Sequence, residues 1–358
     1  MSRRTALACG AAVVAGASAF GLHAAIPDPP MPSPPTPRAA QDLPDAPGTV
    51  RLAVDDRADA PASVLTPVPG TRELLWADKG TGTVRRGRLA GNGVDRGEVI
   101  ADLDVARGSA GGVRGLAVTR DGRIFASFVR GRDQRLVVAE IDVAKPRIVW
   151  RGPRVGRRLT GGGLAALEGG RLVLGVGDQG RDIAAADERS ILGRVVTLDP
   201  DGPSDQTPRR RSRGWHDPTA LAVGRAGHVW VADRAFGDDA ERLGRADRPR
   251  AGAVRSPFRR SPSALAVGDR GLMLLVCGRR SGRIDRTALR GVVAGSEPEV
   301  LRARCRHGIA VVDGRVYVSS DDGRIRTVGT VAELRRADPI DDDGGDADQD
   351  PAPGGGGR

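Results

Sequence analysis

The chain has 358 residues, a formal net charge of +11 and an aromatic content of only 3%. Lys79 and Lys145 are the only lysines among its 56 basic residues, so the positive charge reflects an arginine bias of the whole chain. With so few aromatic side chains available to stack on bases, this charge does not predict a nucleic-acid-binding protein.

Residues 1–26 have the layout of an export signal. Arg3 and Arg4 precede a run that is rich in Ala, Gly and Val and free of acidic residues, with small residues around Ser18 for cleavage. Because about 20 apolar residues span a bilayer, the run is also long enough to remain as a membrane anchor. Residues 27–62 are rich in proline and predict a stiff, extended linker. We therefore expect an exported protein, either secreted or tethered to the outer face of the cytoplasmic membrane.

Six copies of one pattern fill residues 63–336. Each copy is a short apolar strand, a turn and a second apolar strand, and the copies start at positions 63, 115, 163, 220, 264 and 308. Several short strands in a repeat of roughly 40–50 residues are typical of a β-propeller blade. The predicted fold class is therefore all-β, a six-bladed β-propeller, in which ligands bind on the ring axis. The first copy fits least well, because Pro67 and Pro69 interrupt its hydrogen-bonding ladder.

Glycine-containing dipeptides separate the two strands in five copies, at the place where a tight turn needs a positive φ. They are Asp121-Gly122, Gly169-Gly170, Ala226-Gly227, Arg270-Gly271 and Asp313-Gly314. A third strand is predicted after most hairpins, and residues 183–192 are predicted to form one short helical turn. Residues 337–358 are acidic, then glycine-rich, and predict a disordered tail.

Two cysteines, Cys277 and Cys305, lie in the repeat region. In an oxidising compartment an even pair suggests a disulfide, here between neighbouring blades. The alternative is two separate buried thiols that pack as small apolar residues.

The densest basic run, Arg209–Arg213, is predicted to lie in a solvated loop between strands. The functional alternative for such a run in an exported protein is an anionic cell-envelope partner, either a wall polymer or a lipid.

Several motifs occur in a fixed order between residues 63 and 328. They are Gly111–Leu116, Leu159–Leu164, Gly177-Asp178, Ile191–Arg194, Asp199–Gly202, Gly214–Ala222 and Arg304-Cys305-Arg306. In this order they resemble the soluble glucose/sorbosone dehydrogenases, which are six-bladed propellers that use pyrroloquinoline quinone (PQQ) and Ca²⁺. The resemblance implies a sugar or aldehyde substrate that is oxidised at a CH–OH group.

The chain departs from that family at the catalytic positions. Leu159 occupies the position of the family's histidine base, and an aliphatic side chain cannot accept a proton. Asp178, which orients that histidine in the family, is therefore expected to lack a partner. His216 and Asp217 replace an Arg-Asn pair that contacts the cofactor. His216 is either a displaced base or a loop histidine held by Asp217.

The resemblance also implies which residues bind the cofactor and the metal. Arg304 and Arg306 are retained, and we expect them on one face of a strand, where they would hold a carboxylated ligand. Backbone carbonyls of Ala235 and Phe236 match the Ca²⁺ loop. Arg234 places a cation close to the expected metal position, so retention of Ca²⁺ is in doubt.

Two classes of function follow. We expect an exported propeller whose ancestral sugar oxidation is impaired or lost and whose axial pocket remains a binding surface. The alternative is an active quinone-dependent dehydrogenase with a displaced base. A further alternative is a calcium-dependent lactonase, which needs several acidic side chains to converge on the axis.

Overall fold

The computed structural model describes residues 62–339, except for 91–92, 96, 143–144, 157, 236–240, 249–253, 257–260, 291–292, 295–297 and 320–323. The predicted export segment, nearly all of the linker and most of the acidic tail lie outside the described residues. A search of the described residues finds no helix with the length and apolarity needed to span a membrane.

Six antiparallel sheets follow one another along the chain, each built from one continuous stretch. Blade 1 contains β1 (Ala62–Pro67), β2 (Glu73–Asp78), β3 (Thr83–Ala90), β4 (Gly93–Val94) and β5 (Glu98–Asp102). Blade 2 contains β6 (Gly112–Val118), β7 (Ile124–Val129), β8 (Arg135–Glu140) and β9 (Arg147–Arg154). Blade 3 contains β10 (Gly161–Ala166), β11 (Leu172–Val176), β12 (Arg194–Leu198) and β13 (Arg209–Arg213).

The second half of the chain repeats this arrangement. Blade 4 contains β14 (Asp217–Val223), β15 (Val229–Arg234), β16 (Glu241–Arg245) and β17 (Val254–Ser256). Blade 5 contains β18 (Pro262–Gly268), β19 (Met273–Gly278), β20 (Arg283–Arg290), β21 (Val293–Ala294) and β22 (Glu299–Arg304). Blade 6 contains β23 (Ile309–Val312), β24 (Arg315–Ser319) and β25 (Ile325–Thr330). The prediction of an all-β, six-bladed propeller is confirmed.

The first strand of each blade faces the ring axis. These inner strands contact one another in sequence, and β23 contacts β1, so the ring closes between blades 6 and 1. In each blade the second strand runs antiparallel to the inner strand. Residues just before an inner strand and residues just after a second strand therefore lie on the same face of the ring. We call this the upper face.

The hairpin turns have the backbone conformation that the sequence predicts. Arg270 has φ 52° and Gly271 has φ 91°, and the Ala226-Gly227 pair has φ 58° and 71°. Because both central residues are left-handed, these turns follow the natural twist of the strands that they join.

Apolar side chains are buried between neighbouring blades rather than in one central core. Among the described residues there are six such clusters, one for each pair of neighbouring blades. At the seam where the ring closes, Leu65 and Trp76 of blade 1 pack with Ala310 and Tyr317 of blade 6. The ring is therefore held together by the same kind of contact all the way round.

Helix is confined to short segments. Helix α1 (Asp182–Ala186) overlaps the first half of the predicted helical turn at residues 183–192, between β11 and β12. Helix α2 (Val331–Arg336) begins with a capping box in which Thr330 and Glu333 satisfy each other's backbone N–H groups.

Cys277 and Cys305 form a disulfide, with their Cα atoms 5.2 Å apart and both residues fully buried. The expectation that they belong to neighbouring blades is wrong. Cys277 lies in β19 and Cys305 follows β22, so the disulfide links two strands of blade 5.

The basic run Arg209–Arg213 is a strand and not the predicted loop. It forms β13, which pairs only with β12 at the outer edge of blade 3. Charged side chains on an edge strand discourage pairing with other chains, and they hide the apolar alternation by which strands are recognised in a sequence.

Candidate functional site

A cavity of about 1110 Å³ opens on the upper face at the ring axis. Its walls include the start of four inner strands, at Ser63, Arg114, Thr219 and Ser263. A narrower channel of about 340 Å³ continues down the axis between the inner strands. This cavity thus lies where a propeller is expected to bind its ligand.

Basic side chains outnumber acidic ones in the cavity lining, which also includes Arg107, Asp102 and Asp104. Lys79, Arg234 and Arg279 each lie at or just after the end of a second strand, in blades 1, 4 and 5. Arg114 joins them from inner strand β6. The topology of the ring therefore brings four cations from four blades to one opening.

The surroundings of Lys79 strongly perturb its ammonium group. Its Nζ donates to the Ser109 carbonyl oxygen at 3.1 Å. Burial and the positive charges of Arg114, Arg279 and Arg234 lower the pKa of Lys79, the Asp217 carboxylate raises it, and the net result is a pKa of about 7. A large fraction of this amine is therefore uncharged near neutral pH.

Arg114 is fixed by the neighbouring blade. Its Nε donates to the Gly161 carbonyl oxygen at 3.0 Å. Gly162 has φ 102°, and a Cβ there would lie 2.4 Å from the Arg114 Cβ, so only glycine fits at this position. Burial lowers the pKa of Arg114, although a guanidinium keeps its proton.

Asp217 and Arg234 form an ion pair at the cavity wall. Arg234 Nε donates to Asp217 Oδ2 at 2.8 Å, and the Gly161 N–H donates to Asp217 Oδ1 at 2.6 Å. The Asp217 side chain is completely buried. This carboxylate therefore serves Arg234 and the backbone of blade 3, and it does not hold His216.

His216 is held by Asp178. Its Nδ1 lies 2.7 Å from Asp178 Oδ2, with the Asp178 side chain fully buried and the His216 ring 27% exposed. A backbone hydrogen bond joins the same two residues, because the Asp178 N–H donates to the His216 carbonyl oxygen at 2.8 Å. The expectation that Asp178 lacks a partner is wrong: the imidazole comes from blade 4 instead of position 159.

A third buried carboxylate accepts hydrogen bonds from the backbone of His216 and Asp217. Asp233 accepts from the His216 N–H at 3.0 Å, from the Asp217 N–H at 2.7 Å and from Arg242 Nη2 at 2.6 Å. Burial raises the pKa of Asp233, and Arg242 opposes that effect. Arg242 also covers the Trp215 ring at 4.9 Å. Asp233 thus fixes the backbone that presents His216 and Asp217.

The other positions taken from the family pattern lie elsewhere. Leu159 is buried. Arg304 ends β22 and is exposed, while Arg306 lies beyond the strand and packs beside Gly282. The expectation that both arginines share one face of a strand is therefore wrong, and neither contributes to the cavity lining, which includes His307 instead.

No cluster of three or more His, Cys, Asp or Glu side chains suited to a metal occurs in the described part of the chain. Ala235 directly follows Arg234, whose guanidinium is paired with Asp217. Phe236 lies outside the described residues. Asp178 and Asp233 are engaged as described above, and Asp199 is exposed and follows β12, outside the cavity lining. The convergence of acidic groups that a lactonase requires is therefore not found among the described residues.

Comparisons with known proteins agree on the fold. No protein-family model matches the sequence, and neither does any curated protein. The PQQ-bound aldose sugar dehydrogenase of Streptomyces coelicolor superposes with a TM-score of 0.63 at 21% identity, over 78% of this chain and 96% of that one. The apo aldose sugar dehydrogenase of Escherichia coli gives 0.60 at 18% identity, over 75% and 95%.

A calcium-containing family AA12 enzyme of Trichoderma reesei gives a TM-score of 0.52 at 15% identity, over 78% of this chain and 98% of that one. The resemblance found in the sequence is therefore confirmed as a likeness of fold to PQQ-dependent sugar dehydrogenases. At these identities it leaves the chemistry to be argued from the site.

Sequence reasoning missed Lys79, Arg114 and Arg279. A usable signal was present, because Lys79, Asp178, Arg234 and Arg279 all end the second strand of their repeat or follow it within two residues. In a ring of hairpins that position returns to the upper face, whatever residue occupies it.

Proposed function

We propose that this protein is a quinone-dependent oxidoreductase that acts on a CH–OH group of a sugar or aldehyde hydrate, with His216 as the proton acceptor. The observation that carries the proposal is the 2.7 Å contact between His216 Nδ1 and the buried Asp178 carboxylate. It supports the displaced-base alternative over loss of the reaction.

The contact fixes the orientation of the ring. A carboxylate accepts hydrogen bonds, so Nδ1 donates to Asp178, and the imidazole is the group that takes up a proton in the proposed step. The buried Asp178 would stabilise the imidazolium that forms. The partial exposure of the ring allows a substrate hydroxyl to approach it.

The lining of the cavity fits a carboxylated quinone such as PQQ. Lys79, Arg114, Arg234 and Arg279 would hold its carboxylates, since guanidinium groups bind carboxylates with paired hydrogen bonds. When bound, PQQ supplies the two-electron acceptor for the oxidation. The described residues do not fit Ca²⁺, because they offer no cluster of acidic ligands and because a cation, Arg234, directly precedes Ala235 in the sequence.

The test compares dye-linked oxidation of aldoses and aldehydes by the purified protein with PQQ, for the wild type and His216→Gln. We expect His216→Gln to lower kcat/KM by roughly 10²–10⁴-fold, the usual contribution of a general base. His228→Gln is the matched control, because His228 Nδ1 contacts the Arg245 guanidinium in blade 4 instead of a buried carboxylate. Equal turnover by wild type and His216→Gln would contradict the proposal.

A binding module without oxidation is the second candidate. It is favoured by the aliphatic side chain of Leu159 at the family's base position and by Arg234, a cation directly before the expected Ca²⁺ loop. Its signature is a PQQ-induced rise in melting temperature without turnover, since a ligand bound only to the folded state stabilises it. In that case Leu159→His should introduce activity if the base alone is missing.

We also propose that the propeller works outside the cytoplasm, exported or tethered by residues 1–26. Its cationic upper face would then meet small carboxylated ligands or anionic cell-envelope material. Fusion of residues 1–62 to a reporter that is active only after export tests this location.

A further inference from the structure

Lys79 differs from the other cations of the cavity in being able to react covalently. It follows β2, and its Nζ donates a hydrogen bond to a backbone carbonyl oxygen instead of a carboxylate. A Cβ added at Gly112 would lie 2.5 Å from Lys79 Cγ, so the lysine stem lies directly against the backbone of blade 2. No ion pair involves this ammonium in the described part of the chain.

The surroundings also favour the uncharged amine. Burial and three nearby guanidinium groups bring the pKa of Lys79 from 10.5 to about 7. An ordinary lysine is uncharged in only roughly one molecule in a few thousand at neutral pH, whereas about half of Lys79 is uncharged there. The same guanidinium groups attract carboxylates to the cavity.

We propose that Lys79 forms an imine with small carbonyl compounds that carry a carboxylate, the 2-oxo acid class. Arg114, Arg234 and Arg279 hold the carboxylate, and the carbonyl carbon lies next to Nζ. This inference does not depend on His216 or on the binding of a quinone.

The step is balanced without an oxidant or a reductant. The Nζ lone pair attacks the carbonyl carbon, and a proton passes from Nζ to the former carbonyl oxygen to give a carbinolamine. Loss of that oxygen as water leaves a C=N bond to Nζ. Protonation of this nitrogen makes the adduct an electron sink, so the site would support exchange or loss of groups on the neighbouring carbon.

The chain supplies its own control for the test. Lys145 is the only other lysine, and it is exposed. The full protein is incubated with glyoxylate or pyruvate and cyanoborohydride, and the labelled residue is identified by peptide mass spectrometry. We expect labelling of Lys79 to exceed that of Lys145 at least about tenfold at neutral pH, and to fall as the pH drops through about 7.

Three comparisons make the result decisive. Acetone, which lacks the carboxylate, should label Lys79 less than pyruvate does. Lys79→Arg should abolish the site-specific label, whereas Lys145→Arg and His216→Gln should keep it. Equal labelling of the two lysines in the wild type, or no preference for the carboxylated carbonyl, would overturn the proposal even if Lys79→Arg failed to fold.

Discussion

The two halves of the upper face differ in whether their charged side chains form ion pairs. In blades 3 and 4, Asp178, Asp217 and Asp233 are all buried, and each has an imidazole or guanidinium partner. In blades 1, 2 and 5, by contrast, Lys79, Arg114 and Arg279 have no carboxylate partner within the described residues. Under the proposed function, the paired half holds a rigid proton-accepting group. The half with unpaired cations binds an anionic ligand, and Asp102 and Asp104 also line the cavity there.

The largest expected effect comes from removing a buried carboxylate of the paired half. Asp233→Ala leaves Arg242 and two backbone N–H groups without their acceptor, so we expect the free energy of unfolding to fall by about 3–5 kcal/mol. Urea denaturation measures the change. Asp201→Ala is the control, because Asp201 is 75% exposed in its ion pair with Arg123 and should cost less than about 1 kcal/mol. Similar losses for both variants would mean that Asp233 does not support the site.

Asp178→Asn tests the proton-accepting pair more selectively. An amide in place of the carboxylate cannot stabilise an imidazolium, so kcat should fall by roughly 10²-fold or more while KM changes little. Steady-state kinetics of PQQ-dependent oxidation provides the measurement. Asp199→Asn, a change at an exposed residue outside the cavity lining, should leave both constants unchanged. A loss confined to KM would assign Asp178 to substrate binding instead.

The role of the unpaired cations in anion binding can be tested with a neighbouring pair of arginines. Arg279 lines the cavity, whereas Arg280 is also exposed but does not. Arg279→Gln should weaken PQQ binding by about two- to tenfold, because one partly solvated cation is lost. Arg280→Gln should leave the affinity unchanged in the same calorimetric titration. Equal effects would indicate only a general loss of positive charge.

The smallest effect concerns the pH dependence of stability. Between pH 7 and 10.5 the unfolded chain keeps a proton on Lys79 that the folded chain has lost, so unfolding takes up protons and stability rises with pH. Lys79→Met removes this contribution. The stability difference between wild type and variant, followed by denaturation across that range, should therefore move in favour of the wild type as pH increases. A constant difference would show that the pKa of Lys79 is not lowered in the folded protein.

The sequence predicts the blades well because each hairpin is local. Its apolar strands and its Gly-containing turn lie within about 16 residues, as in Ala220–Asp233, so the pattern can be read without knowledge of the ring. The edge strand Arg209–Arg213 was missed because exposed charges mask its periodicity. The site was predicted only in part, because Asp178 and His216 are 38 residues apart and meet only when blades 3 and 4 pack together.

The cavity is a product of the whole ring. Lys79, Arg114, Arg234, Arg279 and His307 come from blades 1, 2, 4, 5 and 6, and the last blade made on the ribosome closes the circle against the first. No binding pocket exists until that seam has formed, so affinity for an axial ligand reports on ring closure. An anion bound among these side chains would contact several blades at once. It would therefore stabilise the closed ring against separation of those blades.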